Sequence, residues 1–388
     1  MTEAALRTYE SLADFAPDWV AVPGESISDL LEEKGWTQVD LATRTGFTTK
    51  HVNLLLKGKA PITEDTALRL ERVLGSTARF WLNLEAQYRE HVARQASVAT
   101  LAEHAGWLKE LPLNDMIKFG WVRKVKDKAQ QVFECLRYFG VADVSAWREQ
   151  YERPVAAYRA AETLIRTPAA VSAWLRQGER QAENMRLADF DREKFGATLQ
   201  QIRALTNEID PKVFVPKLID LCARAGVAVV LAPSPKGCPV SGATKWLGPN
   251  KALVMLSLRG KTDDQLWFSF FHEAGHLMKH GKRMTFLDIL GEDGLNPHEE
   301  QEADAFARDL LISPQDYRDL VSQPTLGERR IREFAKRVGI APGIVVGRLQ
   351  HDGRIGWRQC NYLKVRLSLA RSSAHLGDLA AAGRHPDP

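Results

Sequence analysis

Cysteine is scarce: the 388 residues hold four, Cys135, Cys222, Cys238 and Cys360, widely scattered and with no C-x-x-C pair. That excludes a disulfide framework and a cysteine-ligated zinc site, and it suits reduced thiols in a cytoplasm. Long apolar runs are missing too. No stretch approaches the ~20 residues that a membrane-spanning helix needs, and the opening MTEAALRTYESLADF lacks the apolar core of a secretion signal. Charge of one sign is also in short supply. The formal net charge is only +4, too mild by itself to indicate a nucleic-acid partner. What remains is an ordinary globular composition, 44% hydrophobic and 26% charged, in a chain long enough for two or three domains. A cytoplasmic protein with no membrane contact is expected.

The information lies in the patterning. Residues 1–19 form an N-terminal extension, and residues 20–95 read as five short helices. These are SISDLLEEKG; TQVDLATRTG, capped by Thr37 and ended by Gly46; TTKHVNLLL from Thr48 to Leu56; TEDTALRLERVLG, capped by Thr63; and a fifth from Ser76. Two short helices joined by a tight glycine turn, with the small Ala42 allowing close packing, make a helix-turn-helix. In that geometry the third helix enters the major groove. Thr48, Thr49, Lys50, His51 and Asn53 then face base edges, while Gln38, Lys57 and Lys59 meet phosphates. From Leu41 to Thr63 the charged residues are Arg44, Lys50, Lys57 and Lys59, all basic, yet acidic residues outnumber basic ones over the first 95 positions. One copy should therefore bind operator DNA weakly, which a homodimer would remedy. The stretch WTQVDLATRTGFTTKHVNLLLKGKAPITEDTALRLERVLG resembles the Cro/CI-type helix-turn-helix, most closely its HigA-like antitoxin branch, over about residues 20 to 90.

Residues 96–206 are helical and rich in Trp and Arg, without metal spacing, phosphate loop or repeat, and read as a helical connector. Beyond it, GVAVVLA (226–232), SGATKWL (241–247) and KALVMLSLR (251–259) are short runs separated by Pro/Gly turns. They predict three strands, with 241–247 at an edge where an extended peptide can pair. The strands lead into WFSFFHEAGHLMKH, in which His272, Glu273 and His276 spell H-E-x-x-H. Residues four apart share one helix face about 6 Å apart, so the two imidazoles can grip one metal ion. Glu273 sits beside them, placed to take a proton from an attacking water. Thr262 and Gln265 make a capping box, and Trp267, Phe271, Ala274 and Met278 form the opposite, apolar stripe. Gly275, costly inside a helix, implies a close approach by a neighbour.

A third ligand is expected on the next helix, where Asn296 can cap and Pro297 can take the first turn. Its apolar stripe (Ala303, Phe306, Ala307, Leu310) leaves Glu299 and Glu300 both within reach and turns Glu302 toward solvent. Asp304, one turn beyond Glu300, is placed to accept the second N–H of a metal-bound histidine, and this favours Glu300. SGATKW, LSLRGKTDDQLWFSFFHEAGHLMKH, EQEADAFARDLLISP and IREFAKRVGIAPGIVVGRLQH together resemble the ImmA/IrrE family of zinc metallo-endopeptidases. By position, the resemblance implies Zn2+ held by His272, His276 and Glu300, with Glu273 as general base. It also implies hydrolysis of a peptide bond in a protein substrate such as a repressor or antitoxin. Asp304, where Asn is commoner in that family, and Ser313, where Met is commoner, are departures that touch no ligand.

The expected architecture is multidomain, mainly α with an α+β part. A five-helix DNA-binding domain (20–95) and the connector (96–206) precede a zincin-like peptidase domain (207–320) with a three-stranded sheet packed on the H-E-x-x-H helix. A helical segment (321–368) and a disordered Ala/Gly/Ser-rich tail (369–388) complete the chain. His280 and His298 are candidates for stabilising an oxyanion, and Cys238, just before the expected edge strand, for a redox-sensitive thiolate. A regulator whose zinc domain only senses or docks is the competing reading.

Overall fold

The computed structural model describes residues 21–153, 168–257, 262–280, 286–289, 297–323 and 325–367. The chain divides into two compact units, at Glu103 and His104. In the first, five helices are α1 (Pro23–Lys34), α2 (Gln38–Thr45), α3 (Thr49–Leu56), α4 (Glu64–Leu74) and α5 (Ala78–Glu103). Their starts are written in side chains. Thr37 accepts from the Asp40 amide, whose carboxylate accepts from the Thr37 amide, so two donors that the helix leaves open are satisfied reciprocally. Thr48 and Thr63 cap α3 and α4 in the same way from one side. The α2–α3 turn passes through Gly46 at φ 73°. Ile27, Leu41, Val52, Leu55, Leu70 and Trp81 close one core, and the Trp81 indole N–H donates to the Gly75 carbonyl at 3.1 Å. At 26 residues α5 is longer than the pattern suggested and runs past the expected boundary at 95.

The second unit takes in what was read as a separate connector. Its helices are α6 (Leu113–Lys118), α7 (Lys128–Phe139), α8 (Val144–Trp147), α9 (Pro168–Glu183), α10 (Arg192–Leu205) and α11 (Pro211–Ala223). Of these, α9 and α11 pack onto the sheet. The Trp174 indole on α9 donates to the Ala232 carbonyl at 3.3 Å, and Glu179 pairs with Lys245. The strands are β1 (Val227–Ala232), β2 (Val240–Gly248), β3 (Lys251–Ser257) and β4 (Phe286–Ile289), in the order β1-β3-β2-β4. β1 runs parallel to β3, and β2 is antiparallel to both β3 and β4. The expectation of three strands with 241–247 at the edge is therefore corrected. A fourth strand returns from beyond the H-E-x-x-H helix and pairs with β2 through Val240, Gly242, Ala243 and Thr244. A four-residue strand with one polar position, Asp288, carries too little apolar alternation to be seen in the sequence.

After β3 come α12 (Asp263–Lys279), α13 (Pro297–Leu311), α14 (Pro314–Val321), α15 (Glu328–Val338) and α16 (Pro342–His351). Ile331, Phe334, Val345 and Leu349 join the core that buries β1, β3 and the apolar face of α12, so the segment from 321 is part of this unit. The expected stripe is buried, with Trp267, Phe271 and Ala274 at 1% exposure or less. The capping box is not formed. Thr262 is the N-cap, but its hydroxyl turns to the Gln265 side chain at 3.2 Å instead of a backbone amide. Asn296, residues 1–19 and the tail from 369 lie outside the described residues. Gly275 marks the predicted close approach: a Cβ there would stand 3.0 Å from Ala303 Cα and 3.2 Å from its carbonyl oxygen. Alanine would gain about 1 kcal/mol of helix propensity, but a larger side chain must push the α13 backbone away. Gly275→Val is expected to cost about 1–3 kcal/mol through overpacking. It should lower zinc affinity in a chelator competition while leaving the separate first unit folded, as its own thermal transition would report.

Candidate metal centre

His272 and His276 project from the buried interior of α12, at 3% and 1% exposure, toward the first turns of α13. The structure brings them together with Glu300, all three ligand atoms lying within 4.8 Å of one another. His272 Nε2 is 3.1 Å from His276 Nε2 and 3.1 Å from Glu300 Oε2, and His276 Nε2 is 3.4 Å from Glu300 Oε1. A tetrahedral ion with bonds of about 2.0–2.2 Å holds its ligand atoms about 3.3–3.6 Å apart, so the three atoms already stand close to that spacing. The chemistry of the donor set agrees. Three atoms whose role is to offer lone pairs converge on one point, an arrangement that a divalent cation resolves.

The back of each imidazole is held separately. His272 Nδ1 lies 2.9 Å from Asp304 Oδ1, which places its proton there and turns the Nε2 lone pair inward. Behind His276 stands a second imidazole. His276 Nδ1 lies 3.1 Å from His280 Nδ1, and His280 Nε2 lies 3.1 Å from Glu302 Oε2. If Nε2 of His276 faces a cation, only one direction is consistent. His276 Nδ1–H donates to His280, and His280 Nε2–H donates to Glu302. Two expectations are corrected here. Glu302 is not merely a solvated helix-start acid, and His280, with both ring nitrogens engaged, is not free to stabilise an oxyanion. His298 is exposed, 3.6 Å from the same carboxylate. The signal for the relay was available as the spacing His276, His280 together with Glu302 across the helix pair, but it needed the crossing of α12 and α13 to be read.

Glu273 is fully buried beside this cluster. The Thr244 hydroxyl on β2 lies 2.6 Å from its Oε2 and 3.1 Å from its carbonyl oxygen. A Cβ at Gly242 would collide with the Glu273 carboxylate, so any other residue there must displace that side chain. Thr244 is the functional side chain that sequence reasoning missed; it lay inside the strand picked out for substrate. Protonation favours ligation. Burial would raise the Glu300 carboxyl, yet the His272 and His276 rings that face it outweigh burial and pull it to about 2, so it stands there as an anion. Burial, only partly opposed by Glu300, holds His276 below the ordinary imidazole value and so keeps it neutral. Cys238 is buried, not an open thiolate at the site's mouth.

In the first unit Thr48, Thr49, Lys50, Lys57, Lys59 and Gln38 are exposed, and His51 and Asn53 half-buried. The Asn53 amide donates to Gln38 Oε1 at 3.4 Å, tying the start of α2 to the middle of α3, and the His51 ring meets Phe47 edge-on at 4.8 Å. Arg44, not assigned a contact from the sequence, has its guanidinium 4.0 Å from the Trp36 ring centre. Among the described residues no helix is long and apolar enough to cross a membrane.

Residues 27–81 match the helix-turn-helix family. Over 74 residues the chain is 34% identical to virulence-associated protein I of Dichelobacter nodosus, an overlap of 19% of this chain and 68% of that protein. It is 33% identical over 63 residues to the uncharacterized HTH-type transcriptional regulator YddM of Escherichia coli, 16% of this chain and 67% of that one. Among solved structures, an addiction module antidote protein of a HigA family from Coxiella burnetii is similar. It is 33% identical over 21% of this chain and 91% of its own, with a TM-score of 0.20.

The two imidazole supports make separable predictions. Asp304→Ala removes the carboxylate behind His272 and should weaken zinc binding by about 10–100-fold. His280→Phe, which keeps the ring but removes its nitrogens, should do so by a comparable factor, both measured by competition with a chromophoric chelator. Wild-type affinity in both variants would mean that the ligands do not need these supports.

Proposed function

We propose, from the premise that this chain belongs to the helix-turn-helix family, that it is a DNA-binding regulator whose second unit is a zinc-dependent endopeptidase. Its substrate in this reading is a repressor or antitoxin partner protein. The observation that carries the peptidase half is the convergence of His272, His276 and Glu300 beside a buried Glu273 that a threonine holds in place. Zn2+ fits that donor set and would supply a Lewis acid and a water of pKa about 7. His272, His276 and Glu300 would hold it, leaving a fourth position open. Glu273 would take the proton of the attacking water on its carboxylate and return it to the leaving amine. The Thr244 hydroxyl keeps that carboxylate in one orientation, so little reorganisation is needed when the proton arrives.

The DNA half rests on the first unit. Exposed Lys50, Lys57 and Lys59 on and beyond α3 suit phosphates, and the Asn53 amide suits the N6/N7 edge of adenine. A regulator that carries its own peptidase can bind an operator and remove a partner protein at the same place, which couples gene control to proteolysis.

Glu273→Gln is expected to keep one zinc per chain and to keep DNA binding, while cleavage of the co-expressed neighbouring gene product falls by about 10²–10⁴-fold. Wild-type cleavage by that variant would overturn the peptidase reading and leave a regulator whose zinc domain only senses or docks. For the DNA half, Asn53→Ala should cost about 1–3 kcal/mol at one operator position, whereas Lys59→Ala should weaken all sequences alike and lower the salt slope by about one. A gel shift across a salt series checks both, and no shift even at low salt would sink that half.

A further inference from the structure

One helical turn from the metal ligands, on the same face of α12, lies Phe268, whose ring centre is 6.3 Å from that of His272. It forms part of the wall of a cavity of about 190 Å³ where α12, α13 and α16 meet. Leu311, Ile312 and Ile344 give this cavity an apolar lining, and Trp357, 70% exposed, stands at its edge. Its walls also carry Asp264, Arg308, Arg348 and Lys364, three cations against one carboxylate.

The charges are unevenly matched. Asp264 is already neutralised by Lys364 at 2.7 Å. Arg348 binds Asp352 through Nε at 2.6 Å and lies over the Tyr317 ring at 4.1 Å, but its Nη1 is buried with no hydrogen-bond partner. Arg308, half-buried, has no ion pair among the described residues. Asp264 Oδ1 on the same wall is likewise buried without a hydrogen-bond partner, so the excess of positive charge is carried by Arg308, and a guanidinium with no ion pair beside an apolar cavity suits an anionic ligand. The space left is suited to a small molecule: a cavity of about 150 Å³ takes benzene.

We propose that this cavity binds a small one- or two-ring carboxylate, its rings among Phe268, Leu311, Ile312, Ile344 and Trp357 and its anionic group on Arg308 and Arg348. The site is distinct from the metal centre but shares its two helices. Arg308 lies one turn beyond Asp304 on α13, as Phe268 lies one turn before His272 on α12. Occupancy therefore acts on the pair of helices that present the metal ligands, and it changes zinc affinity. By linkage, zinc changes the carboxylate's affinity by the same factor. Binding itself does not depend on the peptidase reading; only its consequence for cleavage rests on that reading.

The test is calorimetric titration of the full chain, metal-free and zinc-loaded, with benzoate, phenylacetate and indole-3-acetate, and with the corresponding neutral amides. The expected result is saturable one-to-one binding of at least one carboxylate, tenfold or more tighter than its amide. Arg348→Met should weaken it at least tenfold, and so should Ile344→Trp, which fills the cavity without touching a charge; circular dichroism and zinc stoichiometry verify that both variants are folded. The affinity should differ at least twofold between the metal-free and zinc-loaded chain. No saturable binding by any of the three, equal affinity for acid and amide, or unchanged binding in both variants would overturn the site. Equal affinity with and without zinc would overturn the coupling. Loss of cleavage reading in Glu273→Gln leaves the calorimetric result unaffected, so the two ideas fail separately.

Discussion

The contact of Gly275 with Ala303 is the constraint from which the rest of the second unit follows. Two helices carrying side chains at both contact points would stand further apart. Here α12 and α13 close to backbone distance, and a carboxylate from one reaches the imidazoles of the other with a single turn of side chain. The glycine weakens α12 locally, and the buried Trp267–Phe271–Ala274 face makes good that loss against the sheet. On the other side, glycine again, at 242, lets β2 lie directly on the Glu273 carboxylate. The Glu273 carboxylate is thus held against β2, where the Thr244 hydroxyl lies 2.6 Å from it.

The imidazole supports differ in kind, and the difference bears on what each ligand can do. A carboxylate directly behind His272 polarises that ring and raises its basicity. Behind His276 the carboxylate is one ring further off, so the polarisation reaches it through His280 and is weaker. Both arrangements suit the same tautomer, with the proton on Nδ1, and the partners behind the two rings come from different helices, Asp304 from α13 and His280 from the end of α12.

Much of this was legible in the residues themselves. Helix starts announce their caps locally, so Thr37 and Thr63 sit where the sequence put them, while Thr48, read as the first residue of its helix, is its cap. The i, i+4 spacing of His272 and His276 and the phase of Glu300 and Asp304 are properties of single helices, which is why the cluster could be assembled before any tertiary contact was known. What escaped was non-local. β4 pairs with β2 across the whole of α12, and nothing in FLDI reports its partner. Thr244 is one hydroxyl in a strand whose facing element is set by topology. Glu302 faces away from its own helix's apolar stripe and looks solvated, yet the helix crossing delivers His280 to it. The Trp- and Arg-rich stretch before the sheet showed helical periodicity but not where its faces dock. Glu179 and Trp174 reveal that only through partners about 60 residues away.

The same non-locality bears on how α12 and α13 would respond to a change in packing between them. Their ligand ends are held by short polar contacts with little slack, while their other ends open onto a cavity and onto α16, where buried Asp263 and Asp264 face the backbone of Gly343 and Gly347. A packed helix pair does not deform continuously. A change of packing at the cavity end is passed along two rigid rods to the ligand end, where a displacement of a few tenths of an ångström is already significant against bonds of about 2 Å. Regulation of such a centre needs no contact with the ion, only a preference for one spacing of α12 and α13 over another.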